Sequence, residues 1–173
     1  MIELKTNDLV FAKVKPDAII PTKEDENAGY DIYACFDEDY MIIPAHSTKL
    51  IPTGIAAAVS DKYYLQVHER GSTGSKGMKY GAGVVDSSYR GEIFVCINNV
   101  NSNDIIISKY DNLHGKIEAD WFYYHPTIYP YSKAIAQLVV HEVPKMNVKE
   151  ITYEELKEIP SKRGTGSLGS SGK

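Results

Sequence analysis

Cysteine is scarce in this chain. Its 173 residues hold two, Cys35 and Cys96, with no CxxC pair and no Cys/His companion spacing, which argues against a zinc site and a disulfide scaffold. Long apolar runs are also missing. None approaches the roughly 18 to 20 residues of a membrane span, and MIELKTNDLVFAKVK lacks the apolar core and cleavage pattern of a signal peptide. A cytoplasmic protein, not secreted and with no membrane partner, is expected. Positive charge is short as well: 19 Lys+Arg against 23 Asp+Glu give a net charge of -4, so broad electrostatic binding to nucleic acid is excluded as the main work. The five histidines show no ligand spacing such as HExxH, and no internal repeat of fixed period occurs.

What is present is the balance of one globular domain, with 43% apolar and 24% charged residues. Short apolar runs (LVFAKVK, DIYA, MIIPA, TKLIPTGIAAAV, YYLQV, GEIFVCI, DIIISKY, AIAQLVVHEV) alternate with Pro, Gly, Asn and Asp, the pattern of many strands in a sandwich or barrel. Helical signals are confined to two places. One is a turn after Gly71 that Ser72 or Thr73 could cap; the other is 152–158, where Thr152 and Glu155 form a capping-box pattern. The expectation is an all-β domain over 1–160, with about 101–131 as an inserted loop or hairpin and 161–173 as a flexible Gly/Ser-rich arm. Five of the 13 tyrosines fall between Tyr110 and Tyr131, so this insertion is also a candidate surface for a protein partner.

Single motifs are ambiguous. Gly164, Gly166 and Gly169 spell GxGxxG, but no helix can follow so near the end, and a dinucleotide site is rejected. GAGVVDSSYRGEIFV, 81–95, reads as a hairpin-like pattern whose glycines would let the backbone approach a flat ligand. On residue type alone Asp86 is a turn residue or a group that orients and deprotonates water, and Tyr89 is a packed aromatic or a ligand contact.

In order along the chain, however, five segments resemble the motifs of the homotrimeric dUTP pyrophosphatases, the dUTPases. They are Ala28–Ala34, Arg70–Gly77, Gly83–Gly91, Ala134–Leu138 and Arg163–Gly172. The resemblance implies a jelly-roll-like β barrel or sandwich with one short helix. It also implies a threefold trimer with active sites at subunit junctions, and a C-terminal arm that closes over the site. The implied reaction is hydrolysis of dUTP to dUMP and pyrophosphate with Mg²⁺, which limits uracil incorporation into DNA and supplies dUMP for dTTP synthesis. A bacterium or a phage-infected cell would be the setting.

By the same resemblance, Asp86 would activate the attacking water and Tyr89 would pack on the deoxyribose. Backbone from Gly81 through Gly83, Val84 and Val85 would read uracil. Arg70, Gly71, Ser72 and Gln137 would meet phosphates, and Asp31 would hold waters of the Mg²⁺ shell. Arg163, Leu168, Gly169, Ser170 and Ser171 would belong to the closing arm. Three positions depart from the commonest pattern: Gly71 stands where motif two has Ser, Ala134 where motif four has Arg, and Leu168 where motif five has Phe. Two rivals remain, a dCTP deaminase of the same fold using Glu69 or Glu92, and a non-enzymatic nucleotide-binding regulatory trimer.

Overall fold

The computed structural model describes residues 3–111, 113 and 125–166. Two compact units, Met1–Val143 and Pro144–Lys173, make up the chain, and each is taken by itself. In the first unit the strands are β1 (Leu9–Lys13), β2 (Gly29–Ile32), β3 (Tyr40–Ile43), β4 (Thr48–Pro52), β5 (Ile55–Val59), β6 (Tyr63–His68), β7 (Met78–Gly81), β8 (Val84–Val85), β9 (Phe94–Asn99), β10 (Ile105–Ser108), β11 (Thr127–Pro130) and β12 (Ala136–Glu142). A short helix, α1 (Gly71–Gly74), follows β6, and the second unit carries α2 (Tyr153–Glu158). The fold is therefore mostly β, as expected, with two short helices rather than one.

The strands form four small sheets, β1-β5, β11-β10-β3, β2-β12-β6-β8 and β4-β9-β7. Their inner faces carry the core: Ile32, Ile43, Ile51, Leu65, Ile97, Ile105, Ile107 and Leu138 are all at most 1% exposed. Burying each such side chain stabilises the fold by about 1.5–3 kcal/mol before entropy is counted. The period of two is plain in β6 and β12. Leu65 and Val67 of β6 face the core beside Ala136 and Leu138 of β12, which leaves Gln66, His68 and Gln137 half-buried on the outer face.

Two expectations are corrected here. The hairpin-like pattern over 81–95 is not a simple hairpin: β7 and β9 pair antiparallel across it, with Gly81 opposite Cys96, but β8 within it pairs with β6, so the chain changes sheets between Gly81 and Val84. Ala82 takes a left-handed φ of 48° at that crossing. And α1 is led by Arg70 at its N-cap, not by Ser72 or Thr73; buried Thr73 instead accepts the Arg70 N–H at 3.1 Å.

The 101–131 stretch contributes two core strands at its ends, β10 and β11. They pair in parallel (Ile107 opposite Tyr129), a relation that a tight hairpin cannot make. Residues 112 and 114–124, within that stretch, lie outside the described residues, as do 167–173 of the arm. In α2 the capping box forms as its sequence reads: Glu155 N–H donates to Thr152 Oγ1 at 3.2 Å, and Thr152 N–H donates to the Glu155 carboxylate at 2.8 Å. Cys35 and Cys96 are both free thiols. Among the described residues no helix is long and apolar enough to cross a membrane.

Candidate active site in two halves

The first half is an anion-accepting cleft of about 380 Å³ lined by Gly29, Asp31, Arg70, Gly71, Ser72 and Gln137, with Asn27 and Ala28 at its edge. Three separate elements converge there. Asp31 of β2 lies opposite Gln137 of β12, and Gln137 in turn lies opposite His68 of β6, two residues before Arg70. Register across the three strands thus brings together residues that are far apart in sequence.

Arg70 grips Asp31 in a fork, Nε to Oδ1 at 2.8 Å and Nη2 to Oδ2 at 3.0 Å, with both side chains about one-third exposed. Such bidentate pairing fixes the guanidinium plane. The remaining nitrogen, Nη1, lies 3.4 Å from Ser72 Oγ and 3.5 Å from the Ala134 carbonyl oxygen. Gln137 Nε2 donates to the Glu69 carbonyl at 2.8 Å, which leaves its amide oxygen as a fixed acceptor beside the cleft. Gly29 must be glycine, because a Cβ there would stand 2.4 Å from Gln137 Oε1 and 2.8 Å from Gln137 Cβ.

The second half is a smaller, more apolar hollow of about 220 Å³ lined by Val84, Val85, Asp86, Tyr89 and Phe94, with Leu50, Ala82, Glu92 and Ile93 around them. Asp86 is exposed, and its carbonyl accepts the Tyr89 N–H at 3.0 Å, closing the turn that presents both side chains. The Tyr89 hydroxyl donates to the Glu92 carbonyl at 2.9 Å. Gly91 allows that bond, since a Cβ on it would lie 2.4 Å from the phenol oxygen. Tyr89 is held at its tip while 45% of it stays exposed. Its side chain is therefore available to a ligand.

Between these strands, Gly83 lies against β6. Its carbonyl accepts the Val67 N–H at 2.8 Å, and a Cβ at Gly83 would meet Gln66 Nε2 at 2.5 Å and the Val67 carbonyl oxygen at 2.7 Å. The Gln66 amide can swing aside but the carbonyl cannot. Gly83→Ala should lower stability by about 1–3 kcal/mol. At Gly71 nothing lies within 4 Å of a Cβ, so Gly71→Ala should leave stability within about 0.5 kcal/mol. Urea unfolding of the two variants checks the contrast.

The two cavities share no lining residue. Within one chain the expected site residues fall into two groups: Asp31, Arg70, Gly71, Ser72 and Gln137 in one, Val84, Val85, Asp86 and Tyr89 in the other. Arg163, in the second unit, donates from Nε to the Gly166 carbonyl at 3.1 Å. Leu168, Gly169, Ser170 and Ser171 lie outside the described residues. A larger cavity of about 510 Å³ between Lys15, Phe36, Asp37, Lys109 and Tyr131 contains none of these residues. Lys15 pairs there with the Asp37 carboxylate at 3.2 Å, and Lys109 donates to the Asp37 carbonyl at 3.0 Å.

Sequence reasoning missed Asn27 in the cleft and Leu50 and Phe94 in the hollow. Phe94 is an aromatic left 41% exposed on a strand, a placement that residue type alone does not reveal. The two candidate deaminase carboxylates are both tied to backbone. Glu92 accepts the Gly54 N–H at 2.7 Å, and Glu69 accepts the Tyr80 N–H at 3.1 Å. Burial alone would raise the Glu69 carboxyl, but its backbone donors, its own N–H and that of Tyr80, hold it below its ordinary pKa. It is thus kept as an anion engaged in structure, a poor carrier of protons for amine chemistry.

A mostly β fold thus carries an arginine–aspartate cleft and a separate aspartate–tyrosine hollow. The family model described as dUTPase matches residues 15–113. A deoxyuridine 5'-triphosphate nucleotidohydrolase of Debaryomyces hansenii is 36% identical over 159 residues, covering 91% of this chain and 82% of that one. The same-named protein of Candida albicans is 34% identical, covering 91% and 84%. Among solved structures, Staphylococcus bacteriophage 80alpha dUTPase with dUPNHPP superimposes with a TM-score of 0.73 at 20% identity, covering 97% of this chain and all of that one. A variant dUTPase of phage phi11 of S. aureus, described with a structural Mg(II) ion, gives a TM-score of 0.65 at 20% identity, covering 86% and 99%. The chain belongs to the dUTPase family.

Proposed function

We propose that this protein hydrolyses dUTP to dUMP and pyrophosphate, at sites that each combine the Arg70 cleft of one copy with the Asp86 hollow of another in a homotrimer. The observation that carries the reading is the division itself. Both halves of the expected constellation are built and internally braced, yet they open into different cavities of one chain. A site completed by a second copy reconciles the two.

In this reading the Asp86 carboxylate accepts a proton from water as its oxygen attacks the α-phosphorus in line, and pyrophosphate leaves. Tyr89, fixed at its hydroxyl, packs on the deoxyribose and excludes a 2′-hydroxyl. Backbone groups from Gly81 to Val85 read uracil where the chain passes from one sheet to the other. Arg70, Ser72 and Gln137 hold phosphate oxygens. The departure at Gly71 leaves Ser72, already beside Arg70 Nη1, as the hydroxyl that meets phosphate. The resemblance adds Arg163, Leu168, Gly169, Ser170 and Ser171 to the substrate-binding residues, in the cytoplasm of a bacterium or phage-infected cell.

Among the described residues no group of three His, Cys, Asp or Glu side chains could cage a metal. The donor set still fits Mg²⁺ held mainly by substrate phosphates. Each Asp31 oxygen gives one lone pair to Arg70 and retains another for waters of the ion's shell. When bound, Mg²⁺ would supply neutralisation of the phosphate charge. The aromatic content of the 101–131 stretch supports a protein partner there.

The test is product identification after incubation with dUTP, dTTP, dCTP and UTP separately in Mg²⁺. Release of dUMP and pyrophosphate from dUTP alone is the expected result. Uracil nucleotides formed from dCTP would make it a deaminase, and no product from any substrate would leave a binding protein.

A further inference from the structure

The reading above requires the Arg70 turn to be held still; one polar side chain ties it directly to β12, and two more brace the segment that leads into β12. Gln137 reaches the Glu69 carbonyl. The Tyr80 hydroxyl donates to the Ile135 carbonyl, and burial pushes that phenol well above its ordinary pKa. Tyr129, 1% exposed, donates to the Ala134 carbonyl at 2.7 Å. The same carbonyl oxygen is 3.5 Å from Arg70 Nη1, and Nη1 is 3.4 Å from Ser72 Oγ. Burial pushes the Tyr129 phenol up too, while nearby Ser72 and the charge of Arg70 work against that rise.

Asp31 fixes the guanidinium plane through Nε and Nη2, and Nη1 adds a third tie, to the Ala134 carbonyl, that sets where the Arg70–Asp31 pair sits against that segment. Ala134 has no polar side chain to help, only its carbonyl. A carbonyl oxygen has two lone pairs; Tyr129 occupies one and fixes the direction in which the other faces Arg70. The alternative is that Tyr129 only fills the core, where it sits on β11 beside Ile107. A phenylalanine would fill the same volume, so packing gives no reason for the hydroxyl.

We propose that Tyr129 is a positioning residue for polyphosphate binding: through the Ala134 carbonyl its hydroxyl sets the Nη1 edge of Arg70 and the Ser72 hydroxyl that face the phosphates. This rests on the proposed dUTP reading. The nucleoside end of the substrate is held elsewhere and is independent of Tyr129.

Tyr129→Phe keeps the ring and removes the donor. Calorimetry should show pyrophosphate binding in Mg²⁺ weakened about 5- to 10-fold, with a KM for dUTP raised by a similar factor and kcat nearly unchanged. Inhibition by deoxyuridine, which has no phosphate, should not change. In a Ser72→Ala background the added Tyr129→Phe change should cost less than it does alone. Unchanged pyrophosphate affinity, or equal weakening of pyrophosphate and deoxyuridine, would overturn the proposal. Should the variant not fold, the wild-type chain gives a second reading. The buried Tyr129 hydroxyl proton should shift in NMR spectra on adding pyrophosphate but not deoxyuridine, and no shift with pyrophosphate overturns the idea. Failure of the wild type to turn over dUTP would sink the functional reading instead, while pyrophosphate affinity would still report on Tyr129.

Discussion

Asp86→Asn should lower dUTP turnover by about 10²- to 10⁴-fold, the range for loss of a positioned general base. The change keeps size and shape, and the turn survives because it uses the Asp86 carbonyl and the Tyr89 N–H, not the side chain. Asp86 is exposed, so stability should stay within about 0.5 kcal/mol. An amide cannot take the proton that the attacking water must lose. Affinity for a non-hydrolysable imido analogue of dUTP should therefore hold while kcat collapses. Retained turnover in Asp86→Asn would mean that another group activates the water.

Arg70→Ala should reduce kcat/KM for dUTP by about 100-fold or more, since the guanidinium charge and its Nη1 edge are lost from the phosphate cleft. Stability should also fall by about 1 kcal/mol, because Asp31 loses both of its Arg70 bonds at a partly exposed site. Arg70→Lys should recover only part of the activity, as one ammonium cannot span both carboxylate oxygens and still reach Ser72. Steady-state kinetics with thermal melts separates the two effects. Normal kinetics in Arg70→Ala would remove the cleft from the mechanism.

These two residues illustrate what could be read from the chain without coordinates. Strands such as β6 and β12 announced themselves because one face is buried and the other is not, so the alternation survives in the sequence. The Thr152–Glu155 cap was legible because its chemistry is complete within four residues. The passage from β7 to β8 was not. Val85 pairs with Leu65 and Gly81 with Cys96, and nothing local tells the chain to change sheets there. Strand β11 was hidden for a related reason: it ends in Pro130, and it is held as a strand by β10 alongside it.

At the site, motif order identified Asp31, Arg70, Gln137 and Asp86 as partners in one chemistry. The family resemblance also implied that Gln137 and Asp86 come from different chains, whereas the two separate cavities that hold them are visible only in the fold. Tyr129 was missed because a tyrosine in a strand is ordinarily a packing residue, and only the Ala134 carbonyl at its tip marks it out.

The central claim is that one copy's Asp86 works with another copy's Arg70, and co-expression of the two inactive chains tests it most directly. In random one-to-one assembly of Asp86→Asn and Arg70→Ala chains, each mixed trimer has one junction that pairs an intact Asp86 with an intact Arg70. That is about a quarter of the junctions of the whole population once the homotrimers are counted. The account predicts dUTP hydrolysis restored to about that fraction of the wild-type rate per site. Activity no greater than the sum of the two variants made separately, in trimers shown to be mixed, would contradict it.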